Sequence, residues 1–308
     1  MSGEFRPTAL LFAGAVALSA STAATAQQAA TGAQPGCLLV VETGPDQWVV
    51  NYDPFVDTSV ERQFDLAVVN RGDRPCTGVV GMDLRGEPFG LRRAGASERL
   101  AYAVVDERAS ADITPRAGMN ARRVGARPVS LTSGERAMLR FSLVVDPSTL
   151  PDAGLYTQAA FITLDHPNGT PLAEKPVTLA VRVPSVAMMG LKGEFRRSGG
   201  MATVNLGQLS EGARPLNTTL YVLSTAGYSV SVSSANDGRL RQAATDWYVP
   251  YTLTVGDTAI DLSAPKALNI QSARARSDDY PLAVSLGSVR GLRAGEYTDT
   301  VTFTIAAR

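Results

Sequence analysis

The chain has 308 residues, with 29 Lys+Arg against 29 Asp+Glu, one His and two Cys. A formal charge of zero argues against a nucleic-acid or anionic-membrane binder, which needs a basic excess to displace counterions. A hydrophobic content of 44% supports a packed core and excludes wholesale disorder, while 19% charged residues, 28 Gly and 18 Pro suit short strands joined by turns better than long surface helices.

The first segment reads as a targeting signal. Arg6 precedes an apolar run, Ala9 to Leu18, too short to span a bilayer, and small residues then lead to Ala24-Thr25-Ala26. Residues 1–26 are expected to be a secretory signal peptide cleaved after Ala26, which gives an exported product. An uncleaved anchor is the alternative. The only cysteines, Cys37 and Cys76, lie 39 residues apart. In an oxidising compartment an isolated pair is expected to form a disulfide, which the chain-entropy account values at roughly 4 kcal/mol, with two free buried thiols as the alternative. The single His166 sits in Asp165-His166-Pro167-Asn168-Gly169, a turn sequence, and no Cys-x-x-Cys occurs. No metal or cofactor site is expected.

Period-2 alternation dominates the chain beyond the first cysteine. In the first half, Phe64–Asn70, Ala137–Val145, Thr157–Leu164 and Val177–Val183 are predicted strands. In the second, they are Asn217–Thr225, Tyr228–Ser234, Pro250–Val255, Pro281–Leu286 and Tyr297–Ile305. Turn signals such as Asn70-Arg71-Gly72-Asp73, Asn168-Gly169, Asp237-Gly238 and Ala294-Gly295 separate them. No stretch holds a long 3.6-residue period, so an all-β protein of antiparallel sandwiches is expected.

The chain also repeats itself. Ala153-Gly154-Leu155-Tyr156-Thr157 matches Ala294-Gly295-Glu296-Tyr297-Thr298 at an offset of 141 residues, and each launches a strand with alternate apolar residues. Tyr102 and Tyr251, in similar strands, stand 149 residues apart. Two copies of one β-fold account for both echoes, with chance as the alternative. Pro184 marks the boundary, giving a domain at 36–184 with the disulfide and a second at 186–308. After its repeat strand the first copy runs on into Val177–Val183, whereas the second reaches Ala306-Ala307-Arg308. The first copy is therefore expected to carry a closing strand that the second lacks. The competing assignment makes Val177–Val183 the opening strand of the second copy.

At this point the residues resemble a known group. Cys37…Asn51-Tyr52-Asp53-Pro54-Phe55…Cys76, the ending Ala294 to Ile305, and the stretch from Tyr228 to Leu240 are similar to the spore coat protein U family and the related archaic chaperone–usher pilins. The resemblance implies immunoglobulin-like sandwiches, the last of them incomplete. It implies a groove filled first by a periplasmic chaperone and then, at the outer-membrane usher, by a β-strand donated from a neighbouring pilus subunit. Tyr297, Val301, Phe303 and Ile305 would belong to that partner-strand groove. The stretch Gln27 to Gly36 has no large apolar residue and includes Pro35, so it departs from the donor segment of stalk subunits. With two copies in one chain, this suits a tip subunit that receives a strand at the cell surface.

Other classes remain in competition. A free-standing secreted coat or matrix protein has the same composition. A periplasmic chaperone also has two such domains, and Val177–Val183 with Arg182 imitates its donor strand. A secreted hydrolase would need a nucleophile beside a base, but the sequence has no G-x-S-x-G and its one His is in a turn. In the acid pairs Asp106-Glu107 and Asp278-Asp279, adjacent strand residues face opposite ways and loop acids are read as solvated, so no enzyme is expected. Trp48, Trp247 and Tyr248 could stack on sugars, although core or rim aromatics are the plainer reading.

Overall fold

The structure is a computed structural model that describes residues 36–116, 122–243 and 245–308. The signal segment 1–26, its cleavage point and the stretch from Gln27 to Pro35 lie outside the described residues.

The alternating segments form strands, and no helix occurs among the described residues. The first sandwich is built from β1 (Leu39–Thr43), β2 (Gln47–Asn51), β3 (Val60–Asn70), β4 (Cys76–Asp83), β5 (Leu91–Arg93), β6 (Arg99–Leu100), β7 (Ala103–Asp106), β8 (Ala111–Asp112), β9 (Arg122–Leu131), β10 (Arg136–Val145), β11 (Gly154–Asp165) and β12 (Pro171–Val183). One sheet runs β1-β3-β10-β7-β8; the other runs β2-β12-β11-β4-β9, with β5 and β6 on its flank. Between them Trp48 is fully buried, stacked on Phe64 at 5.0 Å and on Phe141 at 5.5 Å between ring centroids. It is a core aromatic, not a ligand platform.

The second sandwich contains β13 (Ala187–Gly193), β14 (Arg196–Ser198), β15 (Met201–Thr203), β16 (Gly212–Ser224), β17 (Tyr228–Ser234), β18 (Arg239–Gln242), β19 (Tyr248–Val255), β20 (Thr258–Ile260), β21 (Lys266–Ile270), β22 (Arg276–Leu286), β23 (Tyr297–Thr298) and β24 (Val301–Ala307). One sheet runs β13-β16-β22-β19-β18-β23, the other β21-β17-β24, and β14-β15 form a separate hairpin. Its core is a separate apolar cluster centred on residues such as Val222, Tyr228, Val230 and Val249.

Cys37 and Cys76 form a disulfide with a Cα–Cα separation of 5.1 Å, within the ordinary range. It ties the segment before β1 to the start of β4. Alkylation and peptide mapping of the purified protein are expected to show no alkylatable thiol until it is reduced; two thiols labelled before reduction would contradict this pairing.

Val177–Val183 belongs to the first sandwich. As part of β12 it pairs antiparallel with β11 from Gly154↔Val183 onward, and parallel with β2 from Thr178↔Gln47 to Arg182↔Asn51. Tyr52 N extends that ladder by donating to Arg182 O at 3.0 Å. The first sandwich is thus closed on both sides of β12.

Candidate functional site

The two copies share atomic detail at the start of their repeat strands. Tyr156 OH donates to Asp152 O at 2.9 Å, and Tyr297 OH donates to Arg293 O at 2.8 Å, each reaching four residues back. Gly154 and Gly295 have φ of 140° and 157°, values that favour glycine. Such a tyrosine corner marks the strand that precedes the closing strand of an immunoglobulin-like sandwich.

Beyond this corner the copies diverge. In the first, β11 is one continuous strand whose inward Ala160, Ile162 and Leu164 are at most 1% exposed, because β12 lies along it. The residues 141 positions later are Val301, Phe303 and Ile305. They point inward on β24 and pack against the second core, yet each is only half-buried. Thr302 and Thr304 face outward and are exposed. β24 pairs with β17 alone, and its other side has no strand partner among the described residues. Across from it β13 pairs with β16 alone, presenting half-buried Ala187, Met189 and Leu191. Two unpaired edges, one from each sheet, therefore flank an apolar seam.

The expected strand Tyr297–Ile305 is divided in its pairing. Tyr297 pairs with Gln242 of β18, while Val301–Ala307 pairs with β17. The inward parity is kept, so Tyr297 packs on the second core at the far end of the seam from Ile305. The gap holds Asp299, whose carboxylate accepts from Ser234 Oγ and Tyr251 OH, both at 2.6 Å, and from Asn236 N at 3.1 Å. Burial, then hydrogen bonding to Asp299, pushes the Tyr251 phenol well above its ordinary value. In the first copy β12 bridges the corresponding gap; no described strand does so here.

The other end of the second sandwich is pinned by Tyr228. This fully buried ring sends its OH to Asp278 Oδ2 at 2.7 Å and meets Tyr280 OH at 2.5 Å. Arg276 grips Asp278 through Nε and Nη2, each at 2.7 Å, and this hydrogen bonding holds the Asp278 carboxyl below its usual range. A depressed folded-state value stabilises the fold above the unfolded carboxylate pKa and is lost as pH falls through the folded value. Asp278→Asn removes this contribution at every pH, so its acid limb in pH-resolved melting is expected to be shallower than that of the parent. Superimposable limbs would contradict it.

The remaining candidates disperse. Asp279 pairs with Lys192 at 2.5 Å and buried Asp106 with Arg108 at 2.6 Å, so Asp106, Asp278 and Asp279 are each held in an ion pair and the expectation of solvated acids is corrected for these three. His166 is exposed in the β11–β12 turn. Among the described residues no group of three or more His, Cys, Asp or Glu is placed to hold a metal ion. Trp247 and Tyr248 are exposed, with the Arg239 guanidinium 4.9 Å from the Tyr248 ring centroid.

Fold and edges together define a class: tandem immunoglobulin-like β-sandwiches, the second with no strand on the free side of β24 among the described residues. Solved structures with a similar fold include a chain of the CsuC–CsuE chaperone–tip adhesion subunit pre-assembly complex, from the archaic chaperone–usher Csu pili of Acinetobacter baumannii. Identity is 11%, covering 85% of this chain and 99% of that one, with a TM-score of 0.46. CfaE, the adhesive subunit of CFA/I fimbria of enterotoxigenic Escherichia coli, is 10% identical over 86% of this chain and 93% of its own, with a TM-score of 0.37. The CupB6 tip adhesin from Pseudomonas aeruginosa is 13% identical over 89% and 97%, with a TM-score of 0.32. No family model and no curated protein matches the chain.

Proposed function

We propose that the chain is an exported, non-enzymatic adhesive subunit of a cell-surface pilus, carried at the fibre tip and assembled by donor-strand complementation. The observation that supports this reading most is the seam between β13 and β24. An unpaired strand edge with apolar side chains behind it is an aggregation hazard unless a strand fills it. A strand from another protein would complete the main-chain ladder while its alternate side chains take the place that β12 fills in the first sandwich. Val301, Phe303 and Ile305 form the β24 wall of this partner-strand groove, and Tyr297 stands at its far rim. A periplasmic chaperone fills it in transit; at the outer-membrane usher a neighbouring subunit replaces the chaperone. The domain bounds are 36–184 for the closed sandwich and 186–308 for the receiving one. The stretch Gln27 to Gly36 lacks large apolar residues and suits a receiver better than a donor.

Immunogold labelling of the producing cells tests the reading. Label at fibre ends, lost when the chaperone or usher gene is deleted, is the expected result. Label along the whole fibre would overturn the tip position, and protein shed free into the medium in both strains would overturn the pilus assignment.

A further inference from the structure

The contact between the two sandwiches is made by the tyrosine corner of the first. Ala153 N donates to Thr225 O at 2.8 Å. Arg93 Nη1 donates to Ala153 O at 3.1 Å and to Ala273 O at 3.2 Å, while its Nη2 meets Asp152 Oδ2 at 2.6 Å. Asp152 Oδ1 accepts from Ala275 N at 2.6 Å. Thr225 is itself tied to the connection, since its Oγ1 donates to Pro184 O at 2.8 Å. β12 leaves the first sandwich beside this corner, the chain passes through residues 184–186, and the second sandwich docks on the corner.

The second sandwich holds the same device, open. Gln242 pairs with Tyr297 as Arg93 pairs with Tyr156. Gln242 Nε2 donates to Ala294 O at 3.2 Å, matching the bond from Arg93 to Ala153 O. A Cβ on Gly295 would strike Gln242, and one on Gly154 would strike Arg93. Here, however, Arg293, Ala294, Gly295 and Glu296 are exposed; Gln242 Oε1, like Arg93 Nε in the first corner, has no hydrogen-bond partner among the described residues. This corner also lies at the end remote from the first sandwich. β24 runs from it toward Arg308, whose N donates to Gly227 O and whose O accepts from Ser185 Oγ, both at 2.8 Å.

We infer that the open corner Arg293–Tyr297 with Gln242 is the docking surface for the body of the subunit that donates the strand, built as the contact inside this chain is built. This rests on the donor-strand reading above. A strand antiparallel to β24 enters at the Arg308 end and leaves at the corner, as β12 leaves beside Asp152–Tyr156. Its own domain must then stand against the corner. The chemistry differs at two points, because Arg293 occupies the place of Asp152 and the neutral Gln242 that of Arg93, whose Nη1 reaches Ala273 O across the inner contact. The facing loops of the partner sandwich would offer a backbone carbonyl to Ala294 N, as Thr225 does to Ala153 N, and a carbonyl or carboxylate oxygen to Arg293.

Two extended full-length chains test this by hydrogen exchange. The first adds a copy of residues 168–183 after Arg308, which the 141-residue offset places in register. The second adds a copy of 168–308, with Glu296→Gln in the added part to give its peptide a distinct mass; it uses the second sandwich as a stand-in for the partner body. In both, the groove-side amides of β24 are expected to become protected. Only in the second is Ala294 N–H of the original copy expected to slow, by about tenfold or more, toward the protection of Ala153 N–H in the same molecule. Protected β24 with an equally fast Ala294 in both chains would overturn the docking surface alone. Unprotected β24 in both would overturn the groove, and this inference with it.

Discussion

Adding residues 168–183 a second time, after Arg308, is expected to raise the melting temperature of the second sandwich by about 10 °C. In the first sandwich the same strand lies against β11 with Val177 opposite Ala160 and Lys175 opposite Ile162. The offset of 141 residues puts the copied Val177 opposite Val301 and the copied Lys175 opposite Phe303. Three half-buried side chains on β24 would then lose their remaining exposure, and the inward apolar residues of the new strand would be buried as well. A net gain of about 3 kcal/mol is a modest fraction of such burial, and at roughly 4 °C per kcal/mol it gives the stated shift. The same extension with Ser at the copied Val177, Leu179 and Val181 should leave the transition where it was. An unchanged melting temperature with the unaltered extension would mean that the seam does not accept a strand.

Phe303→Ala is expected to cost about 3–5 kcal/mol in the extended chain, as for a phenylalanine in a closed core. In the parent chain, where the ring is only half-buried, the cost should be about half that. The difference between the two denaturation measurements is the part of the ring's contribution that depends on the incoming strand. Thr302→Ala, one residue away on the exposed face, should change either chain by less than about 0.5 kcal/mol. Equal costs for Phe303→Ala in both chains would place this side chain outside the groove.

The elements legible in the sequence are those whose partners demand strict alternation. Tyr228–Ser234 alternates apolar residues with serine, is buried on the apolar side and has the expected bounds. Phe64–Asn70 and Ala137–Val145 lie within β3 and β10, which pair with each other. β13 was not legible. Its Ala187-Met188-Met189-Gly190-Leu191-Lys192-Gly193 carries two glycines and no β-branched residue, and Gly190 is accommodated by the Tyr221 ring of the neighbouring strand. That contact is non-local and invisible to a sliding window. β2 is five residues long and owes its place to a parallel partner more than a hundred positions away. The apolar seam was legible on the β24 side, where Val301, Phe303 and Ile305 alternate with threonines, but not on the β13 side. The division at Asp299 was hidden for the same reason: its acceptor role depends on Ser234 and Tyr251, far away in the chain.

The placement of β12 has a mechanical consequence. A pull transmitted through Pro184 acts along the axis of a strand held antiparallel by β11 on one side and parallel by β2 on the other. Load in that direction is shared by both ladders at once, so rupture requires many bonds to fail together instead of one after another. A strand seated along β24 and leaving at the far corner would be loaded in the same sense. Resistance in such a geometry is set by an unfolding rate, not by the equilibrium stability of either sandwich.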